Sequence, residues 1–273
     1  MPLRLTPTFR HALAARALSP DEGALAGMWV CSGSPLVAEI CAGSGLDWVL
    51  IDMEHSPYSL ESVLAQLQAV AAYPVTPVVR VPIGDVVTIK QVLDLGAQNL
   101  LVPMVSTRAD AEAAVAAVRY PPRGTRGVGS ALARSARWNR VDDYLSDAEE
   151  HVSLFVQIET TAGVEAAGEI AAVDGVDGVF VGPSDLAASM GLLGQQTHPD
   201  VVAAALRTFE AVRAAGKPVG VNAFDPSAAD DYLAAGASFV IVGADTALLA
   251  RGSEALAARF GGGPGDSRTR GSY

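Results

Sequence analysis

Short apolar segments of strand length alternate with segments of helical periodicity along most of this chain. Each strand-like segment ends at polar residues, and a segment with apolar residues three or four apart follows it. Strands are predicted at residues 26–31, 47–51, 76–81, 99–102, 152–158, 178–181, 218–222 and 239–242. Helices are predicted after each of them, including 34–42, 60–72, 85–95, 108–118 and 163–173.

Eight strand-then-helix units predict a single-domain (β/α)8 TIM barrel at residues 23–260. An open doubly wound sheet is the lesser alternative, since no glycine-rich dinucleotide fingerprint follows the first strand. Residues 1–22 are predicted to form an N-terminal extension with a short amphipathic helix. An insert at 120–150 contains an arginine-rich helical pattern, and the Gly- and Ser-rich segment 261–273 is predicted to be a disordered tail.

The charge pattern restricts the classes of partner. A net charge of −11 argues against nucleic-acid binding, which needs clustered cations. No run of apolar residues is long enough for a membrane span, and the N-terminus lacks the apolar core of a signal peptide. Cys31 and Cys41 have no metal-binding or redox spacing, which favours a reduced, cytoplasmic setting.

The segment from 152 to 185 carries the main candidate chemistry. Its pattern predicts a βαβ unit, in which the two parallel strands point the same way. Glu159 and Asp185 should therefore lie at the same end of neighbouring strands. Two carboxylates beside Gln157 suit a hard divalent cation, Mg²⁺ or Mn²⁺. The alternative is that both acids merely cap the helices that follow them.

Other polar residues follow the remaining strands, at the end of a barrel where active sites lie. Asp52 could fix the tautomer of His55 and raise its basicity, although His55 alone could be a solvated loop residue. Arg80 could pair structurally with Asp52 or Glu54, or its planar fork could bind a carboxylate or an enolate oxygen. Further residues predicted at these strand ends are Trp29, Cys31, Pro103, Met104, Ser184, Asn222, Gly243 and Asp245.

Lysine usage restricts the mechanism. The chain has two lysines, Lys90 inside a helical pattern and Lys217 before a strand. A Schiff-base enzyme needs a lysine that reaches the pocket. If the protein is a carbon–carbon lyase, it is therefore expected to use a metal.

Several motifs together resemble one family. They are LDWVLIDMEHSPYS, VVRVP, GAQNLLVPMV, PPRGTRGVGSALARSARWN, QIET and DGVFVGPSDLAASMG. In order and spacing they are similar to the HpcH/HpaI family of metal-dependent (class II) pyruvate aldolases, which includes 4-hydroxy-2-oxoheptanedioate and 2-dehydro-3-deoxyglucarate aldolases. The resemblance covers roughly residues 9–260.

The resemblance implies roles for individual residues. Glu159 and Asp185 would be the metal ligands, with Gln157 beside the metal and Glu54 near its water shell. Asp52 and His55 would form the base dyad, Arg80 would stabilise the enolate, and Trp29 would wall the pyruvate pocket. Backbone N–H groups at Ser184 and Asp185 would hold the pyruvate carboxylate, and Asp94 would reach a neighbouring subunit's site. The cation would be Mg²⁺ or Mn²⁺, with Co²⁺ also compatible.

The implied reaction is cleavage or formation of a 4-hydroxy-2-oxo acid from pyruvate and an aldehyde. Arg123 and Arg126 could contact a distal substrate carboxylate or simply pair with acids. The alternatives are a CoA-ester lyase of the citrate lyase β or malyl-CoA type and a non-catalytic barrel that binds an oxo acid. The family implies a homo-oligomer, a trimer or hexamer, with residues 247–260 packing on a neighbour.

Overall fold

The computed structural model describes residues 4–260, which form a closed barrel of eight parallel strands in sequential order. The strands are β1 (Leu25–Val30), β2 (Trp48–Asp52), β3 (Thr76–Arg80), β4 (Asn99–Val102), β5 (Ser153–Ile158), β6 (Gly178–Val181), β7 (Val219–Asn222) and β8 (Phe239–Ala244). Because β1 also pairs with β8, the sheet has no open edge. The predicted (β/α)8 barrel is confirmed, and the open doubly wound sheet is excluded.

Helices surround the barrel and connect its strands. They are α1 (Phe9–Ala17), α2 (Pro35–Ala42), α3 (Leu60–Val70), α4 (Val86–Asp94), α5 (Arg108–Val118), α6 (Thr161–Glu165), α7 (Ala167–Ala171), α8 (Pro183–Ser189), α9 (Pro199–Ala214), α10 (Pro226–Ala234) and α11 (Asp245–Phe260). Several begin with a side-chain cap: Ser34, Ser59, Asp85, Thr107, Thr160 and Asp225 each accept a hydrogen bond from a backbone N–H of the first turn. Such caps fix where each strand-to-helix loop ends.

Two predicted helices differ from the structure. The segment 163–173 forms the short helices α6 and α7, which meet at Ala166, a residue with non-helical backbone angles. The arginine-rich part of the insert is not an α-helix, because three consecutive residues from Arg137 to Asn139 adopt positive φ values of 50–58°. The predicted N-terminal helix is present as α1, and the predicted disordered tail lies outside the described residues.

An aromatic cluster fills the barrel at the N-terminal ends of its strands. Phe9, the first residue of α1, packs against the rings of Trp48, Phe155 and Phe239, with ring centroids 4.9–5.4 Å apart. The backbone N–H of Phe9 donates to Asn99 Oδ1 at 2.7 Å. Helix α1 therefore closes the barrel at the N-terminal ends of its strands, and the end at their C-termini stays open. Within residues 4–260, no helix is both long and apolar enough to cross a membrane.

We expect Phe9→Ala to destabilise the fold by about 3–5 kcal/mol, because it removes a buried ring and leaves a cavity among three aromatic side chains. Chemical unfolding followed by circular dichroism measures this change. Leu18→Ala is the control, since Leu18 is 86% exposed. Equal unfolding midpoints for the two variants would show that α1 does not close the core.

Candidate active site

The open end of the barrel holds a cavity of about 500 Å³. It lies at the carboxyl ends of the strands, the face on which barrel enzymes carry their active sites. Seven predicted site residues line it: Trp29, Asp52, His55, Arg80, Gln157, Ser184 and Asp185. Two further predicted residues, Glu54 and Glu159, contact members of this set, through Arg80 and Gln157 respectively.

Arg80 is the best anchored side chain in this cavity. It is the last residue of β3 and is 5% exposed. Its Nε and Nη2 donate to the two carboxylate oxygens of Asp52 at 2.8 and 2.9 Å, and its Nη1 lies 3.0 Å from Glu54 Oε2. The guanidinium carbon lies 4.2 Å from the centre of a Trp29 ring. A fixed planar cation of this kind is suited to binding a developing negative charge.

Asp52 does not form the predicted contact with the imidazole of His55. Besides Arg80, its carboxylate accepts hydrogen bonds from the backbone N–H groups of Glu54 and His55, at 3.0 and 3.2 Å. Asp52 therefore holds the loop that carries His55, while the exposed ring of His55 has no hydrogen bond within residues 4–260. The role of His55 as a base stays a prediction, and so does its pairing with Asp52 during catalysis.

Glu159 is a buried carboxylate directly after β5. Its Oε1 accepts a hydrogen bond from the backbone N–H of Met104 at 2.6 Å, and its Oε2 accepts one from Gln157 Nε2 at 2.5 Å. Burial raises the pKa of Glu159 to about 7; the Met104 N–H opposes this shift, and the charges of Asp185 and Glu54 add to it. A carboxylate in such surroundings is stabilised in its charged form when a cation lies beside it.

The residues around Glu159 fit a divalent cation. Asp185 follows β6, the neighbour of β5, and its charge reaches Glu159. Gln157 Oε1 is buried without a hydrogen-bond partner within residues 4–260, so one more oxygen is available at the same place. A Cβ at Gly182 would lie 2.9 Å from Gln157 Nε2 and 3.1 Å from Glu159 Oε2, so only glycine leaves this space open.

The described residues contain no group of three or more His, Cys, Asp or Glu side chains that could hold a metal. Two carboxylates are nevertheless enough for Mg²⁺, which commonly keeps several waters and takes further oxygens from its substrate. The carboxylates of Glu159 and Asp185 therefore suit such a cation, and their role as its ligands stays a prediction.

Three residues support the site in ways that the sequence did not reveal. Met104 has a φ of 58°, and the N–H of this residue donates to Glu159. Asn222 Oδ1 accepts a hydrogen bond from Trp29 Nε1 at 2.8 Å and so orients the indole. Asp245 accepts from the backbone N–H groups of Cys31 and Ser32 and fixes the loop after β1. The sequence predicted only that each of these residues follows or ends a strand.

Other nucleophiles are unsuited to this cavity. Burial and the charge of Asp52 raise the pKa of Cys31 to about 12, so its thiol stays protonated. Neither lysine lines the cavity: Lys90 lies within α4, and Lys217 Nζ donates to the carbonyl of Val176. A Schiff-base mechanism therefore has no lysine within this chain's own site.

Asp94 lies away from this chain's cavity. It is the last residue of α4, and helices of a barrel end at the face opposite the active site. Its Oδ1 lies 3.7 Å from Nη2 of the fully buried Arg126. Arg123 is also remote from the cavity and pairs with Glu149 and Asp174. The role of Asp94 in a neighbouring site stays a prediction.

Comparison with known proteins gives one consistent result. The chain is 54% identical over 262 residues to hydroxypyruvate/pyruvate aldolase of Deinococcus radiodurans, covering 95% of this chain and 92% of that protein. It is 54% identical over 235 residues to 4-hydroxy-2-oxo-heptane-1,7-dioate aldolase of Salmonella dublin, covering 86% and 89%. The crystal structure of an HpcH/HpaI aldolase/citrate lyase family protein from Burkholderia cenocepacia matches with a TM-score of 0.84 and 41% identity, covering 90% of this chain and 98% of that one.

The sequence profile described as HpcH/HpaI aldolase/citrate lyase matches residues 25–252, nearly the whole barrel. The resemblance seen in the motifs at residues 9–260 is therefore confirmed, with the profile covering most of that range. With the barrel, the cavity at its open end and the relatives in agreement, the chain belongs to the HpcH/HpaI aldolase/citrate lyase family.

Proposed function

We propose that this chain is a divalent-metal-dependent aldolase that cleaves or forms 4-hydroxy-2-oxo acids from pyruvate and an aldehyde. The observation that carries the proposal is the buried guanidinium of Arg80, which is fixed in a cavity that is also lined by Asp185 and by Gln157, the hydrogen-bond partner of Glu159. Family membership and the aldolase names of both relatives support it. Neither a CoA-ester lyase nor a non-catalytic barrel is favoured by these relatives.

Glu159 and Asp185 would hold the cation, Mg²⁺ or Mn²⁺, and Co²⁺ is also compatible with oxygen ligands at such a site. When bound, the cation supplies positive charge that stabilises the enolate of pyruvate. Gln157 would orient the carboxylate of Glu159 through its side-chain amide. Glu54 would lie close to the waters of the cation, since its charge already reaches Glu159.

The remaining residues would bind the substrate and transfer its proton. Ser184 and Asp185, in the first turn of α8, would hold the pyruvate carboxylate with backbone N–H groups, and Trp29 would wall the pocket. In cleavage, His55 takes the proton of the C4 hydroxyl, the C3–C4 bond breaks, and the aldehyde leaves. Arg80 stabilises the enolate that remains, and protonation at C3 gives pyruvate.

Arg80→Ala is expected to lower kcat/KM by about 10²–10³, because one fixed charge donor for the enolate is lost. Its effect on metal affinity should be much smaller, and steady-state kinetics with metal titration separates the two. Arg108→Ala is the matched control, since Arg108 is an exposed arginine whose ion-pair partner among residues 4–260 is Glu112. Near wild-type turnover in Arg80→Ala, with circular dichroism unchanged, would contradict the role of Arg80.

Removal of divalent metal with EDTA is expected to abolish aldol product formation, and Mg²⁺ or Mn²⁺ should restore it. Glu159→Gln should weaken metal binding, measured by titration calorimetry, because the neutral amide keeps the shape and loses the charge. Glu112→Gln on the surface of α5 is the control, since Glu112 is exposed and, in the described part of the chain, forms its ion pair with Arg108. Undiminished product after thorough chelation would contradict the metal mechanism.

The surface supports a homo-oligomer, which we propose to be a trimer or hexamer. Helix α11 has sixteen residues, and among them only Asp245 is buried. Four of its large apolar side chains are more than 60% exposed, namely Leu248, Leu249, Leu256 and Phe260. An apolar face of this size is typical of an interaction surface, and a second copy of the chain would cover it. A cytoplasmic location fits the two free cysteines.

The double substitution Leu249→Glu and Leu256→Glu is expected to shift the protein towards monomers, because it places charges within the proposed contact. Sedimentation velocity measures the change. Leu18→Glu, at an exposed leucine outside α11, should leave the assembly unchanged. A wild-type protein that sediments as a monomer at micromolar concentration would refute the oligomer.

A further inference from the structure

A second cavity, of about 260 Å³, adjoins the active-site cavity beside the loops that follow β6 and β7. The two cavities share four lining residues, Pro183, Ser184, Asn222 and Phe224. A substrate bound between Trp29 and Asp185 in the active-site cavity is thus separated from the second cavity only by these shared residues. The second cavity is therefore positioned to receive the part of an aldehyde that extends away from the reacting carbon.

The charge of the second cavity is negative. Asp225 and Asp231, at the start and in the middle of α10, line it, and no lysine, arginine or histidine does. Within residues 4–260 neither carboxylate has an ion-pair partner, although Asp225 accepts a hydrogen bond from the N–H of Ala228. A bound carboxylate would meet two like charges that no cation compensates.

The other polar groups of the second cavity are neutral hydrogen-bonding groups. Ser184, Thr197 and Ser227 contribute hydroxyls, and Asn222 contributes an amide. Because Asn222 Oδ1 already accepts from Trp29 Nε1, its NH₂ group is left as the donor. Hydroxyls and amides of this kind suit the hydroxyl groups of a small polyol chain.

The arginines considered for a distal substrate carboxylate lie elsewhere in this chain. Arg123 pairs with Glu149 and Asp174, and Arg126 is fully buried beside Asp94. Sequence similarity does not decide which aldehyde is used: one relative is named for the oxo acids hydroxypyruvate and pyruvate, and the relative named for heptanedioate is equally 54% identical to this chain. The charge of the second cavity does distinguish a neutral aldehyde from one that ends in a carboxylate.

We infer that the second cavity binds the distal part of the aldehyde, and that it selects neutral, hydroxylated aldehydes over those that end in a carboxylate. This inference rests on the proposed aldolase activity. It assigns Asp231 as a specificity-determining residue: its charge disfavours anionic aldehydes without taking part in enolate formation.

Two matched comparisons test the selectivity with the intact Mg²⁺-loaded protein and pyruvate. The first compares glyceraldehyde with succinic semialdehyde, and the second compares succinic semialdehyde with its methyl ester, which lacks the charge and is larger by one methyl group. We expect kcat/KM to be about tenfold higher for each neutral aldehyde, and the difference should shrink in 1 M salt. An anionic aldehyde that reacts as well as its neutral partner would overturn the inference.

Variants of α10 test whether Asp231 is responsible. Asp231→Asn should raise kcat/KM for succinic semialdehyde by roughly threefold to tenfold and leave that for the methyl ester unchanged. Ser227→Lys, which adds a cation to the same lining, should raise it further. Asp230→Asn is the matched control, because Asp230 is exposed on the same helix and does not line the cavity. Equal effects of the Asp230 and Asp231 substitutions would overturn the assignment.

Exchange of the pyruvate methyl protons in D₂O, followed by NMR, separates this inference from the proposed function. The exchange reports enolate formation and needs no aldehyde. All three α10 variants should exchange at the wild-type rate, which also shows that they are folded. Loss of exchange in the wild-type protein would contradict the aldolase proposal itself, whereas normal exchange with a preference for anionic aldehydes would contradict only the selectivity.

Discussion

The bidentate ion pair between Arg80 and Asp52 is the interaction on which the site depends. Both residues are nearly inaccessible to water, so separating the pair would leave a buried charge uncompensated. The pair joins the ends of β2 and β3, places the guanidinium against Trp29 of β1, and leaves Asp52 oxygens to hold the loop that carries His55. A single contact thus orients side chains from three neighbouring strands.

The charge of the site is balanced only in part by this ion pair. Arg80 pairs directly with Asp52 and Glu54, and its charge also reaches Glu159, which lies buried within reach of Asp185 and accepts two hydrogen bonds. The surplus of negative charge supports the proposed divalent cation. It also supports our inference that the neighbouring cavity takes neutral, hydroxylated aldehydes, since Asp225 and Asp231 add negative charge there.

Much of the site could be predicted from sequence because parallel strands place all their carboxyl ends on one face. Once β5 and β6 were recognised, Glu159 and Asp185 had to share that face. Hydrogen bonds made by the backbone could not be predicted. The residue type of Met104, for example, does not indicate the positive φ with which its N–H donates to Glu159. The helical pattern of the insert failed for a related reason, since Arg134 instead uses its backbone N–H to bind the carbonyl of Asp94.

The position of Phe9 at the N-terminal ends of the barrel strands has a consequence for how the chain folds. The ring packs against β2, β5 and β8, so its neighbours come from segments as much as 230 residues later in the chain. Contacts this distant in sequence form late, because a long loop must close before they contribute. During synthesis, α1 would therefore complete its packing only after β8 has been made, and the ring of Phe9 would stay exposed to water until then.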